Sequence, residues 1–311
     1  VVSFDYPSVF SLITGILSAL GASIQAGNVF TYRPSPPATQ LSANRGTAHR
    51  YRRRPTKVDE SRRRRIVDHF EVELHSEMAP ELWEKELRRR TSDVFRLLEK
   101  GTDAALSEAK YQVNRIVALR LEEMEFEARD VLFPVRIEVD NSTTDFTRLT
   151  VFSEDTPFFL YALSNALSLR GVSIEQLTIR TCQNEIQDEL YIVDARGRKI
   201  TDTARLDQIK FSILLTKEFT FFLPQAPEPY AAVSRFEQLV GDVVRLPEQG
   251  HWVEVLSSPR MLQDLAKLLG ASDFMWEDFV RGQYETLLPM LGPHMDTSEF
   301  DDTGGDDILH R

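Results

Sequence analysis

The chain has 311 residues, 42% of them hydrophobic and 10% aromatic, which is enough apolar surface for two or three folded domains and excludes global disorder. Its 48 acidic against 37 basic residues leave a net charge of -11, which argues against nucleic-acid binding as the role of the whole chain. A single cysteine, Cys182, excludes an internal disulfide and a cysteine-based metal cluster, and suits a soluble protein of a reducing, cytoplasmic compartment.

From the first residue the pattern is a short strand-like run, a turn containing Asp5 and Pro7, and a helix with Phe10, Ile13, Leu17 and Leu20 on one face. This apolar stretch is broken by Ser11, Thr14, Ser18 and Gly21 and is shorter than the roughly 20 residues a bilayer requires, so no membrane anchor is expected. No basic segment precedes it. A signal peptide is therefore not expected either, and a chain beginning on valine reads as a piece of a longer protein. Gly21 ends the helix, and a second strand follows.

The same unit recurs 150 positions later. Val1, Ser3, Asp5, Pro7, Leu17, Ser18, Gly21, Ser23, Ile24 and Thr31 are matched without a gap by Val151, Ser153, Asp155, Pro157, Leu167, Ser168, Gly171, Ser173, Ile174 and Thr181. Further on the offset falls to 120, pairing Ile66 with Ile186, Asp68 with Asp188, Phe70 with Leu190 and Val72 with Ile192. Copy one thus carries 30 extra residues, the difference between 150 and 120, and composition places them between Pro34 and Arg65. That insertion holds ten Lys or Arg between Arg45 and Arg65 and has too little apolar surface for a core, so it reads as a solvated basic loop. Contact with nucleic acid is the alternative, without aromatic interleaving to support it.

After the third strand of copy one, Pro80 to Met124 has the composition of two helices, with apolar positions Val94, Leu97, Val113, Ile116 and Val117. In copy two a helix over Asp202 to Lys217 carries Leu206, Ile209, Ile213 and Leu214. A fourth strand in each copy, from Val131 to Val139 and from Phe219 to Leu223, would complete two βαββαβ units. The expected class is α+β: two ferredoxin-like modules over 1–125 and 126–225, a connector and small helical segment over 226–292, and an acidic tail over 293–311.

At these residues the chain resembles a tandem pair of ACT domains. The runs Val135–Asn141, Asp155–Pro157, Tyr191–Asp194 and Lys199–Asp202 look like the C-terminal pair of bacterial PII uridylyltransferases, and Leu269–Phe279 looks like a segment of glutamine-synthetase adenylyltransferases. The resemblance implies an amino-acid site at the turn between first strand and first helix, at Asp5, Tyr6, Pro7, Ser8 and Val9 in copy one and at Asp155, Thr156, Pro157 and Phe158 in copy two. The family's glycine is absent from both turns. Ser8 leaves room for a ligand where Phe158 brings a large ring, so copy one is the better candidate. The resemblance also implies these partners: an amino-acid effector, glutamine; an attached nucleotidyltransferase domain; glutamine synthetase or the PII signal protein; and a second copy of the chain in a homodimer.

No Gly-Ser turn followed by paired carboxylates is present, nor a phosphate loop, a Gly-x-Ser-x-Gly elbow or a third ligand for His69 and His75. The segment is not expected to be catalytic by itself. Magnesium and nucleotide belong to a catalytic domain elsewhere. The reading is a glutamine-sensing regulatory region of a nitrogen-control nucleotidyltransferase, with an interaction scaffold that has lost ligand binding as the alternative.

Overall fold

Strand alternation in the chain is regular enough to build one antiparallel sheet. In the computed structural model, which describes residues 1–32, 64–124, 135–154, 156, 158–182, 185–243 and 259–271, seven strands follow the order β1-β3-β2-β6-β7-β5-β4. They are β1 (Val2–Phe4), β2 (Ala22–Tyr32), β3 (Arg65–Leu74), β4 (Arg136–Asp140), β5 (Thr147–Glu154), β6 (Val172–Cys182) and β7 (Glu185–Asp194). In β3 the residues Ile66, Asp68, Phe70 and Val72 face inward, while Val67, His69 and Glu71 are exposed. Period-two patterning of this kind buries one face of a sheet and leaves the other to solvent.

The two copies meet at the sheet's centre. β2 pairs with β6 through Ala26–Arg180, Asn28–Thr178 and Phe30–Gln176. Adding the repeat offset of 150 to Ala26 gives position 176 and to Phe30 position 180, so the ladder maps onto itself about an axis through Asn28 and Thr178. The irregularities obey the same operation. A bulge between Ile24 and Ala26 on β2 is matched by one between Ile174 and Gln176 on β6.

On the covered face lie α1 (Val9–Ala19) and α4 (Phe159–Leu169), the equivalent helices of the two copies, packed on one another. Their contact is close because position 15 is glycine: a Cβ there would sit 2.6 Å from Val113 and 2.8 Å from the Tyr161 ring. The Tyr161 hydroxyl donates to the Asn114 carboxamide oxygen, which satisfies a buried polar pair. The span 80–124 forms two helices, α2 (Pro80–Leu98) and α3 (Asp103–Glu123), and α3 flanks α1. Thr102 caps α3, its hydroxyl accepting from the Ala105 amide at 3.3 Å.

The expected fourth strands differ from what forms. Phe219 and Thr220 complete α5 (Thr203–Thr220), and Leu223–Gln225 is a 3-10 turn. Phe219 stacks on Phe236 of α6 (Pro229–Val243) with ring centroids 3.7 Å apart, and this burial overrides the strand preference of the Phe-Thr-Phe-Phe run. Arg136–Asp140 is a strand, but it pairs with β5 at the outer edge of copy two and does not close copy one. Each copy therefore contributes a βαββα unit, and copy two gains an edge strand from the segment before it. α6 and α7 (Pro259–Leu269) join the same apolar core, with Arg235 donating to the Leu269 and Ala271 carbonyls at 2.6 and 2.8 Å. The acidic tail and Ser272–Phe279 lie outside the described residues.

Candidate functional site

The local backbone at the two strand-to-helix turns is unusual for its residues. Ser8 precedes α1 at φ 59 and Phe158 precedes α4 at φ 62, the two non-glycine residues with positive φ among those described. Left-handed backbone costs an L-residue with a Cβ about 1–2 kcal/mol. Identical strain at both equivalent positions means the turn geometry is imposed by the fold and not by the side chain. Gly21 and Gly171, where the helices end, adopt φ 79 and 60 at no such cost.

Each turn faces the helix end and second strand of the other copy, and a cavity lies at each junction. The first, about 440 Å³, is lined from copy one by Asp5, Tyr6, Pro7, Ser8, Val9 and Asp68 and from copy two by Ser168, Gly171 and Ser173 among others. The second, about 230 Å³, is lined by Thr156 and Phe158 with Ser18, Gly21 and Ser23, and by Asp188. Under the repeat offsets Ser18 becomes Ser168, Gly21 becomes Gly171 and Asp68 becomes Asp188, so the two cavities are one site written twice.

Their chemistry has diverged. In the first, the Ser8 and Ser168 hydroxyls are 2.8 Å apart and tie the copies together. Arg64 bridges them as well, its guanidinium 3.0 Å from Asp5 and 2.8 Å from Glu175. Glu175 is the bulge residue of β6, and the bulge turns its side chain toward the other copy. Burial pushes the Asp5 carboxyl above its usual range, with Arg64 opposing and Glu175 reinforcing the shift. Asp68 is 3% exposed and no hydrogen bond reaches either of its carboxylate oxygens among the described residues. Desolvation, opposed by the Val1 ammonium and reinforced by Asp5, pushes it up to about 7.

In the second cavity the Phe158 ring is buried at 4% exposure, and the Thr156 hydroxyl finds no partner among the described residues. Asp188 accepts from the Arg180 amide at 3.2 Å. The bulge residue equivalent to Glu175 is Gln25, which donates to Ser23 at 2.9 Å. The position equivalent to Arg64 is Asn184, outside the described residues. Of the first site's three charged bridge members, Arg64 and Glu175 are thus replaced by uncharged residues here.

All five copy-one residues singled out in the sequence, Asp5 to Val9, line one cavity. In copy two Thr156 and Phe158 line the other, and Asp155 and Pro157 lie outside the described residues. Sequence reasoning passed over Asp68, Asp188 and Arg64. The signal for the aspartates was present, an acid retained in both copies at an inward strand position. Arg64 was hidden in the basic run, whose last two residues lie among those described, Arg64 in its ion pairs and Arg65 as the first residue of β3. A separate buried pair sits on α5. Lys217 donates to Ser153 at 3.3 Å and burial pulls its ammonium down to about 8, while burial pushes the neighbouring Glu218 up to about 7 against the pull of Lys217.

Part of this chain has relatives of known name. Over 117 residues, 37% of the chain, it is 30% identical to the bifunctional uridylyltransferase/uridylyl-removing enzyme of Rhodospirillum rubrum, of which it covers 12%. The enzyme of the same name from Gluconobacter oxydans is 32% identical over 87 residues, 28% of this chain and 9% of that protein. The similarity is to a small part of each. No family model and no solved structure matches. No described helix is long and apolar enough to cross a membrane.

Proposed function

We propose that this chain is the amino-acid-sensing regulatory region of a nitrogen-control nucleotidyltransferase of the uridylyltransferase kind, and that glutamine is its effector. The observation that carries the reading is the pair of symmetry-related cavities at the seam between two repeats, each opening on a strained strand-to-helix turn. A ligand held there touches both copies at once. It can therefore favour one relative arrangement of the copies over another, which is what regulation of an attached domain by a small molecule requires. The partial similarity to uridylyltransferase/uridylyl-removing enzymes supports the choice of parent enzyme. In this reading the PII signal protein is the attached domain's substrate, and magnesium and nucleotide bind that domain alone.

The site of about 440 Å³ at Asp5 to Val9 lies within the usual range for small-molecule pockets and is the expected effector site. Calorimetric titration of the 311-residue chain with glutamine tests it, with Ser8→Trp as the blocking variant and circular dichroism to verify its fold. Heat in the parent that disappears in Ser8→Trp supports a sensor in copy one. A second reading, an interaction scaffold, draws on the Phe158 ring in the other cavity, and absence of heat with every amino acid would leave it standing.

A further inference from the structure

The first cavity holds one group that nothing so far explains. Asp68 is a carboxylate at 3% exposure on an inward strand position between Ile66 and Phe70, and neither oxygen has a hydrogen-bond donor among the described residues. Leaving an ionisable group in such a place is costly unless something arrives to satisfy it. Its repeat equivalent has the same position and burial, yet accepts a backbone amide from Arg180. An internal control is thus built into the molecule: the same fold can supply a backbone donor to one oxygen of this carboxylate, and in copy one supplies none among the described residues.

We infer, resting on the amino-acid-sensing reading, that the copy-one cavity selects its ligand by an ammonium group, which Asp68 takes as its counter-ion, and that the copy-two cavity does not. The charges surrounding Asp68 decide the sign of the ligand. Asp5 comes from the turn, Glu175 from β6, and Arg64 lies ion-paired between those two. The chain's first ammonium at Val1 is the other cation acting on Asp68. Helices α1 and α4, which roof the site, contain no Asp, Glu, Lys, Arg or His. Of the charged side chains lining the cavity, Asp5, Asp68 and Arg64, the one guanidinium is committed to Asp5 and Glu175, so no lining side chain is left to neutralise Asp68. An ammonium supplies three N–H donors to the two unsatisfied oxygens, whereas an uncharged amide would leave the charge uncompensated. The volume of about 440 Å³ suits an organic molecule of amino-acid size and exceeds what a bare metal ion on one carboxylate would fill.

The carboxyl must be ionised to act. Since burial raises it to about 7, its ionised fraction rises about tenfold between pH 6 and pH 8, and the apparent affinity for an ammonium ligand follows that fraction.

The test is calorimetric titration of the whole 311-residue chain with glutamine, with its deaminated analogue 4-carbamoylbutanoate and with n-butylammonium, at pH 6 and pH 8, on the parent, Asp68→Asn and Asp188→Asn. Expected are glutamine binding about tenfold tighter at pH 8, at least tenfold weaker binding of the deaminated analogue, at least tenfold loss in Asp68→Asn with the pH dependence gone, and less than threefold change in Asp188→Asn. Equal affinity for glutamine and its deaminated analogue, or undiminished binding in Asp68→Asn, overturns the inference and leaves amino-acid sensing intact. Binding of n-butylammonium that depends on Asp68, without binding of glutamine, upholds the inference and removes the sensing reading. No binding of either ammonium compound overturns both. The analogue comparison and the pH series need only the parent protein, so they decide the matter even where a variant fails to fold.

Discussion

The cavity at Ser8 and the cavity at Phe158 share a backbone and differ in nearly every polar group. Both lie at the seam between copies, both follow a non-glycine residue at φ near 60, and both receive an inward aspartate from the third strand of their copy. One is bridged by an ion pair across the seam and contains an unsatisfied carboxylate; the other is occupied by a buried ring and has its carboxylate on a backbone amide. The difference shows how a fold can keep a costly backbone conformation at two equivalent turns while the polar groups around them diverge. Substitutions at equivalent positions separate what belongs to the fold from what belongs to one site.

Phe158→Gly is expected to have the largest effect. Removing a buried phenyl ring costs about 3–5 kcal/mol, and relieving left-handed strain returns about 1–2 kcal/mol, so a net loss of about 1–4 kcal/mol should appear as a lower thermal midpoint. A change below about 1 kcal/mol would mean that the ring is a dispensable plug and not part of the core.

Next in size is Asp68→Asn. The carboxyl's folded value is about 7 against 3.8 for the free group, so the folded state holds its proton more tightly than the unfolded state. Stability from this residue is fully present below about pH 4 and is lost as pH rises to about 7. The variant should therefore be more stable than the parent by roughly 1–3 kcal/mol at pH 8 and equal to it near pH 4. Denaturant titrations of both proteins at both values check this, and a parent-variant difference that fails to widen between pH 4 and pH 8 would reverse the assignment. The equivalent truncation in the other site, Asp188→Ala, should cost about 1–3 kcal/mol because the Arg180 amide loses its acceptor.

Gly15→Ala probes the helix pair instead of the cavities. Alanine gains about 1 kcal/mol of helix propensity, but its methyl lies 2.6 Å from Val113 and 2.8 Å from Tyr161, and overpacking costs about 1–3 kcal/mol. A net loss of about 1 kcal/mol in chemical unfolding is expected. Net stabilisation would show that α3 and α4 yield freely at this point.

How much of this could be read from the chain depended on whether the deciding contact was local. The helices ending at Gly21 and Gly171, the pair α2 and α3, and the two turns follow from short-range spacing and from ten ungapped identities. The β2–β6 seam does not, because nothing in a strand's own pattern specifies which edge it will meet 150 residues away. The same reason misplaced the fourth strands: Phe219 looks like a strand residue until Phe236 is known to lie against it. The repeat offset pairs Asp68 with Asp188, but only the packed structure shows that Asp188 accepts a backbone amide while no hydrogen bond reaches the Asp68 carboxylate among the described residues. Arg64 shows the opposite failure, since the composition of the run Arg62–Arg65 suggested solvent exposure and hid a bridge between the copies.

The smallest effect gives the finest division between fold and site. Ser8 carries two separable features, a left-handed backbone and a hydroxyl 2.8 Å from that of Ser168. Ser8→Ala keeps the strain and removes the hydroxyl contact, which should cost about 0.5–1.5 kcal/mol. Ser8→Gly removes the same contact and also the strain, while adding about 0.5–1 kcal/mol of unfolded-chain freedom, so its stability should lie within about 0.5 kcal/mol of the parent. The glycine variant should therefore unfold at higher denaturant than the alanine variant. If the two unfold together, the φ of 59 at Ser8 carries no strain, and the turn's left-handed backbone ceases to be a feature the fold maintains at a cost in both copies.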